Sequence, residues 1–151
     1  VHDTLEAERR IVIFAEFRWE VAAITEALAK KGTQVWPVTG DTPPAQRVDI
    51  RKKFGDTGPG SVDRMVIVAQ IKTLSVAVNE LVSASHAIFT TPTQQRDDYI
   101  QARDRLNRVG QTRPVTYWHM QVPGSIDELV MHRLDSRTEL ENTLLNHIYK
   151  K

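Results

Sequence analysis

The chain has 151 residues, and 20 Lys+Arg against 19 Asp+Glu leave it a formal charge of +1, enough for one domain with a real core but offering no global attraction to nucleic acid, membrane or acidic ligands. Zero cysteines exclude a disulfide framework, a thiolate metal site and a cysteine nucleophile, and the 5 histidines show no paired metal-ligand spacing. No apolar run approaches the roughly 18 residues of a membrane span, and Val1 in place of Met, with charges close behind, reads as a piece of a longer, non-secreted protein.

Arg10-Ile11-Val12-Ile13-Phe14 is a β-branched run that predicts a strand, and Val21, Ile24 and Leu28 follow at helical spacing. Lys31-Gly32 ends that helix. Gln34–Val38 is a second strand, with Pro37 pointing to a sheet edge. Thr39–Pro44 is a loop feeding a helix, with Thr42 as its N-cap; Val48, Ile50 and Phe54 mark that helix, which stops near Gly55. Gly55–Ser61 reads as a connector. Met65–Ala69 is an apolar run of the fully buried strand type. His86–Thr90 is the next strand, a polar helix spans Asp97 to Val109, and Val115–Met120 is the last strand. Ser125-Ile126-Asp127-Glu128 has the form of a capping box. Behind it Ile126, Leu129, Val130 and Leu134, then Leu140, Leu144 and Ile148, predict one long amphipathic helix to the chain end.

Strands alternating with helices imply an α/β fold, with a mostly parallel sheet covered on both faces. Ligands of such sheets sit beyond the carboxyl ends of the strands, which directs attention to the loops after Ala15, Val38, Ala69 and Thr90. No Gly-Lys pair exists, so the chain cannot build a phosphate loop of its own; the dinucleotide fingerprint is absent too. On the polar helix, Tyr99, Ala102, Leu106 and Val109 form a packing stripe. Gln101, Arg105 and Arg108 form a second stripe at i, i+4 and i+7. Such a stripe is either a solvated face balanced by Asp97, Asp98 and Asp104 or a pair of guanidiniums offered to a phosphate. Trp19, Trp36 and Trp118 are candidate base-stacking platforms, although Trp36 and Trp118 read better as packed residues. His86 and His119 also read as packed.

Gln101-x-x-Asp104-Arg105-x-x-Arg108-x-Gly110-Gln111, followed by Thr112-Arg113-Pro114-Val115, resembles motif VI of the Swi/Snf-type helicase-like ATPases of superfamily two. Other blocks fall in the same order. Ile11–Phe17 is similar to motif IV, and Thr39-Gly40 with Arg47, Ile50 and Phe54 to the block after it. Val68-Ala69-Gln70 through Asn79 stands in the place of motif V, and Gly124–Glu128 resembles the turn that starts a bracing helix. Ser75-Val76-Ala77-Val78-Asn79 departs from the glycine-rich family pattern, and Thr90-Thr91-Pro92 replaces an aromatic-Asn-Pro element. These departures point to a divergent bacterial or phage-like branch.

The resemblance implies the second of two RecA-like lobes, covering residues 1–151 with 125–151 as the brace. Arg105 and Arg108 would be arginine fingers toward ATP held between the lobes, with Gln101, Asn79 and Gly110 also on the nucleotide side. Mg²⁺ would be held mainly by the N-terminal RecA-like lobe of the same protein, which is the expected partner. Thr39, Gly40, Lys72, Thr73, Ser75 and Arg47 would contact the DNA backbone without reading sequence, with Arg18 next in line. The setting implied is the cytoplasm of a bacterial or phage-infected cell. The alternative is a non-catalytic nucleic-acid or protein docking module that keeps the fold. An RNA-directed helicase fits less well, because motif VI ends in Gly110-Gln111.

Overall fold

The computed structural model describes residues 8–56, 64–75, 80–93, 95–134 and 136, with the side chains of residues 74, 75 and 80 excepted. Five strands, β1 (Arg10–Ala15), β2 (Val35–Val38), β3 (Met65–Gln70), β4 (His86–Phe89) and β5 (Thr116–His119), form one sheet in the order β2-β3-β1-β4-β5. Every pairing is parallel, so each return crosses over a face of the sheet and all carboxyl ends lie on one edge. β1 and β3 occupy the middle and are buried along nearly their whole length, which is why their sequences are continuous apolar runs. β2 lies at an edge, where Pro37 removes no ladder bond the sheet needs.

Alternation along β1 divides the core in two. Ile11, Ile13 and Ala15 meet Val21 and Leu28 of α1 (Arg18–Lys30). Val12 and Phe14 face the opposite layer. That layer holds α2 (Pro44–Gly55) through Ile50 and Phe54, α3 (Arg96–Leu106) through Tyr99, Ala102 and Leu106, and a helical stretch at 126–134 through Met131 and Leu134. The fold is therefore the RecA-like α/β sheet with helices on both faces. A buried charge ties the layers at their base. Arg10, 2% exposed, donates to the carbonyls of Phe54 at 3.0 Å and Asp56 at 2.8 Å, and so satisfies acceptors at the end of α2 that the helix leaves open.

Four local expectations are corrected. Thr42 is not the N-cap of α2, since the helix begins at Pro44 behind Pro43. The Thr42 hydroxyl instead accepts from the Thr39 N–H at 3.0 Å, closing the loop before the helix. α3 stops at Leu106, not Val109: Asn107 leaves helical geometry, and Gly110 takes a φ of 104° that a helix does not contain. In the last helix, Ile126 and Leu129 face outward while Met131 and Leu134 are buried, so only part of the expected stripe faces inward. The capping there is also shifted, because the Ser125 hydroxyl accepts from Asp127 N–H and Asp127, not Glu128, accepts from Val122 N–H. Asn79, most of the Gly55–Ser61 connector, and Leu140, Leu144 and Ile148 lie outside the described residues.

Candidate functional site

α3 runs antiparallel to the strands, and this decides where its arginines go. Its carboxyl end packs beside the segment entering β4, where the Gln111 side chain reaches the carbonyls of Val82 and Ala84. Arg105 and Arg108 therefore sit at the amino edge of the sheet, away from the four carboxyl-edge loops. Gln101 is exposed on α3, Arg105 is partly covered in its last turn, and Arg108 is exposed in the turn beyond. Because the helix ends at Leu106, Gln101, Arg105 and Arg108 do not form one helical stripe, and Val109 is wholly exposed instead of packed. The two arginines are neighbours all the same. Burial first, and then the charge of Arg108, lower the Arg105 guanidinium from its ordinary pKa, with Asp104 partly offsetting them. A cation so placed is relieved by an anion brought between it and its neighbour.

Arg103, two residues before Arg105, has a different task. Its guanidinium lies 5.5 Å from the Tyr99 ring centroid and 5.1 Å from that of Tyr117. The Tyr117 hydroxyl, whose pKa is raised chiefly by burial, donates to the Arg103 carbonyl at 3.0 Å. Arg103 thus packs α3 onto β5, while Arg105 is partly covered and Arg108 is exposed beyond the helix end. Among the described residues no three His, Asp or Glu side chains converge as a metal site.

The carboxyl edge brings together the other candidates. Thr39 and Gly40 follow β2, Lys72 and Thr73 lie in a 3₁₀ turn (Ile71–Ser75) after β3, and Arg18 opens α1 after β1. Ser75 closes that turn, and its side chain is outside the described set. Arg47 is turned inward onto this edge. It donates to the carbonyls of Thr42 at 2.7 Å, Gly40 at 2.9 Å and Thr39 at 3.2 Å, bracing the loop. Arg18 pairs with Asp41 at 2.6 Å, and its Nη2 would lie 3.2 Å from a Cβ added at Gly40. The glycine there allows that close approach. Lys72 stands 3.7 Å from Glu16 and, with the Gln95 amide oriented to satisfy both neighbours, donates to Gln95 at 3.2 Å while Gln95 donates to Asp98 at 3.0 Å. The loop after β3 is thereby joined to the first turn of α3. With 11 residues in α3, its two ends are separated by about 15 Å.

Four residues acquire places that composition does not reveal. Gln111 is the centre of a hydrogen-bond cluster beneath the Arg108 turn; its only sequence signal is its fixed position in the motif. Phe17 and Trp19 stack at the carboxyl edge with ring centroids 6.1 Å apart, 49% and 68% exposed. Trp118 is half exposed on the edge strand β5, where it stacks on His86, so of the expected core or inter-lobe packing the core alternative does not hold within this chain. Trp36 does pack at the core margin, with Lys53 over its ring. His86 and His119 are both partly buried.

Residues 1–110 match the family described as helicase conserved C-terminal domain. The chain belongs to that family. Its relatives include DNA repair protein RAD5 of Yarrowia lipolytica, 30% identical over 93% of this chain and 13% of the relative. DNA excision repair protein CSB of Oryza sativa is 27% identical over 93% of this chain and 11% of its own length. Among solved structures, the C-terminal part of the Fun30 ATPase domain superposes with a TM-score of 0.74 at 25% identity, covering 85% of this chain and 39% of that one. With Swi/Snf-type relatives and this fold, the helicase C-terminal domain is the second lobe of a superfamily-two helicase-like ATPase. It spans only about an eighth of the first two relatives' length.

Proposed function

We propose that this chain is the second lobe of an ATP-dependent DNA translocase or helicase, in which Arg105 and Arg108 meet the β- and γ-phosphates of ATP bound between two lobes. One observation supports this reading above the rest: two neighbouring arginines, Arg105 partly covered and Arg108 exposed, stand at and just beyond the end of a helix whose other face is packed into the sheet. A rigid pair of cations stabilises charge that develops on a transferring phosphoryl group. Gln101, Gly110 and Asn79 complete the nucleotide side in this reading, and Mg²⁺ would rely on ligands from the first lobe. Placing the fingers on a lobe that must close makes hydrolysis depend on closure, which couples chemistry to movement.

DNA is assigned to the carboxyl edge, at the other end of α3. Thr39, Gly40, Lys72, Thr73 and Ser75 offer hydroxyls, amides and one ammonium to a backbone, the contacts suited to a motor indifferent to sequence. Arg47 serves this surface by holding the Thr39–Thr42 loop in shape, and its contact with DNA is indirect. The whole chain, including a brace over 125–151, acts as the lobe; a cytoplasmic setting in a bacterial or phage-infected cell goes with this reading. A docking module without catalysis is the second reading, favoured by Ser75–Asn79, where glycines are usual for the family, and by the internal engagement of Arg47 and Lys72.

The two readings separate in one experiment. Phosphate release is measured for the 151-residue chain alone and for the full-length protein, with and without duplex DNA. A translocase lobe gives no turnover alone and DNA-stimulated turnover in the full-length protein. DNA binding by the full-length protein without stimulated turnover would favour the docking module.

A further inference from the structure

We infer that Gln111 is a positioning residue for Arg108, and that it works by clamping both ends of the turn on which Arg108 is carried. This rests on the reading in which Arg108 meets the phosphates of ATP. The Gln111 side-chain amide donates to Ala84 O at 2.8 Å, Val82 O at 3.0 Å and Leu106 O at 3.3 Å. An NH₂ group has two hydrogens, so three acceptors share them, the longest contact being the one to Leu106. The side-chain oxygen accepts from the Arg113 N–H at 3.0 Å, and the Gln111 backbone N–H donates to Arg108 O at 3.0 Å. Both ends of the side-chain amide and the backbone N–H are therefore used.

These bonds meet at one place. Leu106 is the last residue of α3 and Arg108 stands two residues on. Gln111 holds the first by its side chain and the second by its backbone. The same side chain is fastened to Val82 and Ala84, on the approach to β4 in the interior of the sheet. Asn107, Arg108, Val109 and Gly110 are all exposed, and the start of the turn is also held by the Asn107 N–H donating to Arg103 O at 3.1 Å. Hydrogen bonds, not packing, fix where the Arg108 guanidinium begins. Preorganisation of a charge matters most when the charge acts only in the transition state. Only an amide of this length fits the role. Glutamate would set a carboxylate against three carbonyl oxygens, and methionine would keep the volume while removing every donor.

The test uses the full-length protein with saturating duplex DNA and compares wild type, Gln111→Met, Arg108→Ala and the double variant. Gln111→Met is expected to lower kcat by about 10-fold or more while the KM for ATP stays within about 3-fold. In the Arg108→Ala background the same substitution is expected to cause no further loss, because Gln111 acts through the arginine that is already gone. A purely architectural glutamine gives a different result: the two losses multiply, and that outcome overturns the proposal. If Arg108→Ala itself turns over at the wild-type rate, the finger reading beneath the proposal fails instead, and the two failures are told apart. Should Gln111→Met not fold, Gln111→Asn keeps the amide with shorter reach. It is expected to show a smaller kcat loss with the same non-additivity, and additive losses would again count against the clamp.

Discussion

On the proposed reading, Arg105→Ala and Arg108→Ala in the full-length protein are each expected to lower DNA-stimulated kcat on the order of 10³-fold, the lower end of what an arginine finger supplies. Steady-state phosphate release at saturating ATP and DNA measures it. The two residues are not equivalent. Arg105 lies on the last turn of α3 and is partly covered, with its pKa lowered by burial and by its neighbour; Arg108 lies in an exposed turn. Truncating Arg108 therefore removes a charge and little packing. Truncating Arg105 also uncovers part of α3 and is expected to reduce stability slightly as well. Lysine at either place keeps one charge but loses the planar fork, so Arg→Lys is expected to recover only part of the loss. Arg103→Ala makes the internal control. Its guanidinium is stacked between Tyr99 and Tyr117, and its loss is expected to appear in thermal stability before turnover.

The second large effect concerns the fold. Phe89, at the end of β4, is 3% exposed and meets four aromatic rings. These are Phe14 at 4.9 Å, Tyr99 and His119 at 5.1 Å each, and Tyr117 at 6.4 Å between centroids. Tyr99 belongs to α3, and its hydroxyl lies 3.1 Å from His119 Nε2. One ring therefore seats the arginine-bearing helix on the sheet between β1 and β5. Phe89→Ala removes the ring and leaves a cavity that rigid strands cannot close, at a cost of about 3–5 kcal/mol. For a domain of this size that corresponds to a fall in melting temperature of roughly 10 °C or more, read by calorimetry. Phe89→Leu fills most of the space and is expected to lose less than half as much.

How much of this was legible beforehand differs by layer. β1 and β3 could be read directly, because strands covered on both faces must be apolar at every position, and Ile11–Phe14 and Met65–Ala69 are. The helix stripe Tyr99, Ala102 and Leu106 was legible for a similar reason. Its extension to Val109 was not, since a 3.6-residue period continues on paper past Asn107 while the chain turns at a glycine with φ of 104°. The face of the last helix was legible in part: Leu134 is buried and Val130 packs against the core as expected, while Ile126 and Leu129 are exposed, because only the position of the helix on the sheet decides how wide a stripe is covered.

The candidate site divides in the same way. Arginines 105 and 108 stood out through motif spacing, a local property. What occupies the other cations is a matter of folded geometry, local for Arg47 and non-local for Lys72 and Arg10. Arg47 curls back onto its own loop, Lys72 reaches Glu16, and Arg10 is buried against the end of α2. Partners 44 to 56 residues apart, as for Arg10 and Lys72, leave no trace in a linear pattern. Gln111 shows the limit most clearly. Its residue type and place are visible in the motif, but the carbonyls that give it meaning come from Val82 and Ala84, 27 residues or more before it.

The most direct test of the finger assignment measures binding, not turnover. Full-length Arg105→Ala and Arg108→Ala, with DNA present, are titrated with ADP alone and with ADP plus fluoroaluminate, which mimics the phosphoryl group in flight. Groups that act mainly in the transition state contribute little to ground-state affinity. ADP affinity is therefore expected to change by less than about 5-fold, while affinity for the fluoroaluminate complex falls by a factor comparable to the loss in kcat. Equal weakening of both ligands, or none of either, would contradict the assignment of Arg105 and Arg108 to the transferring phosphate.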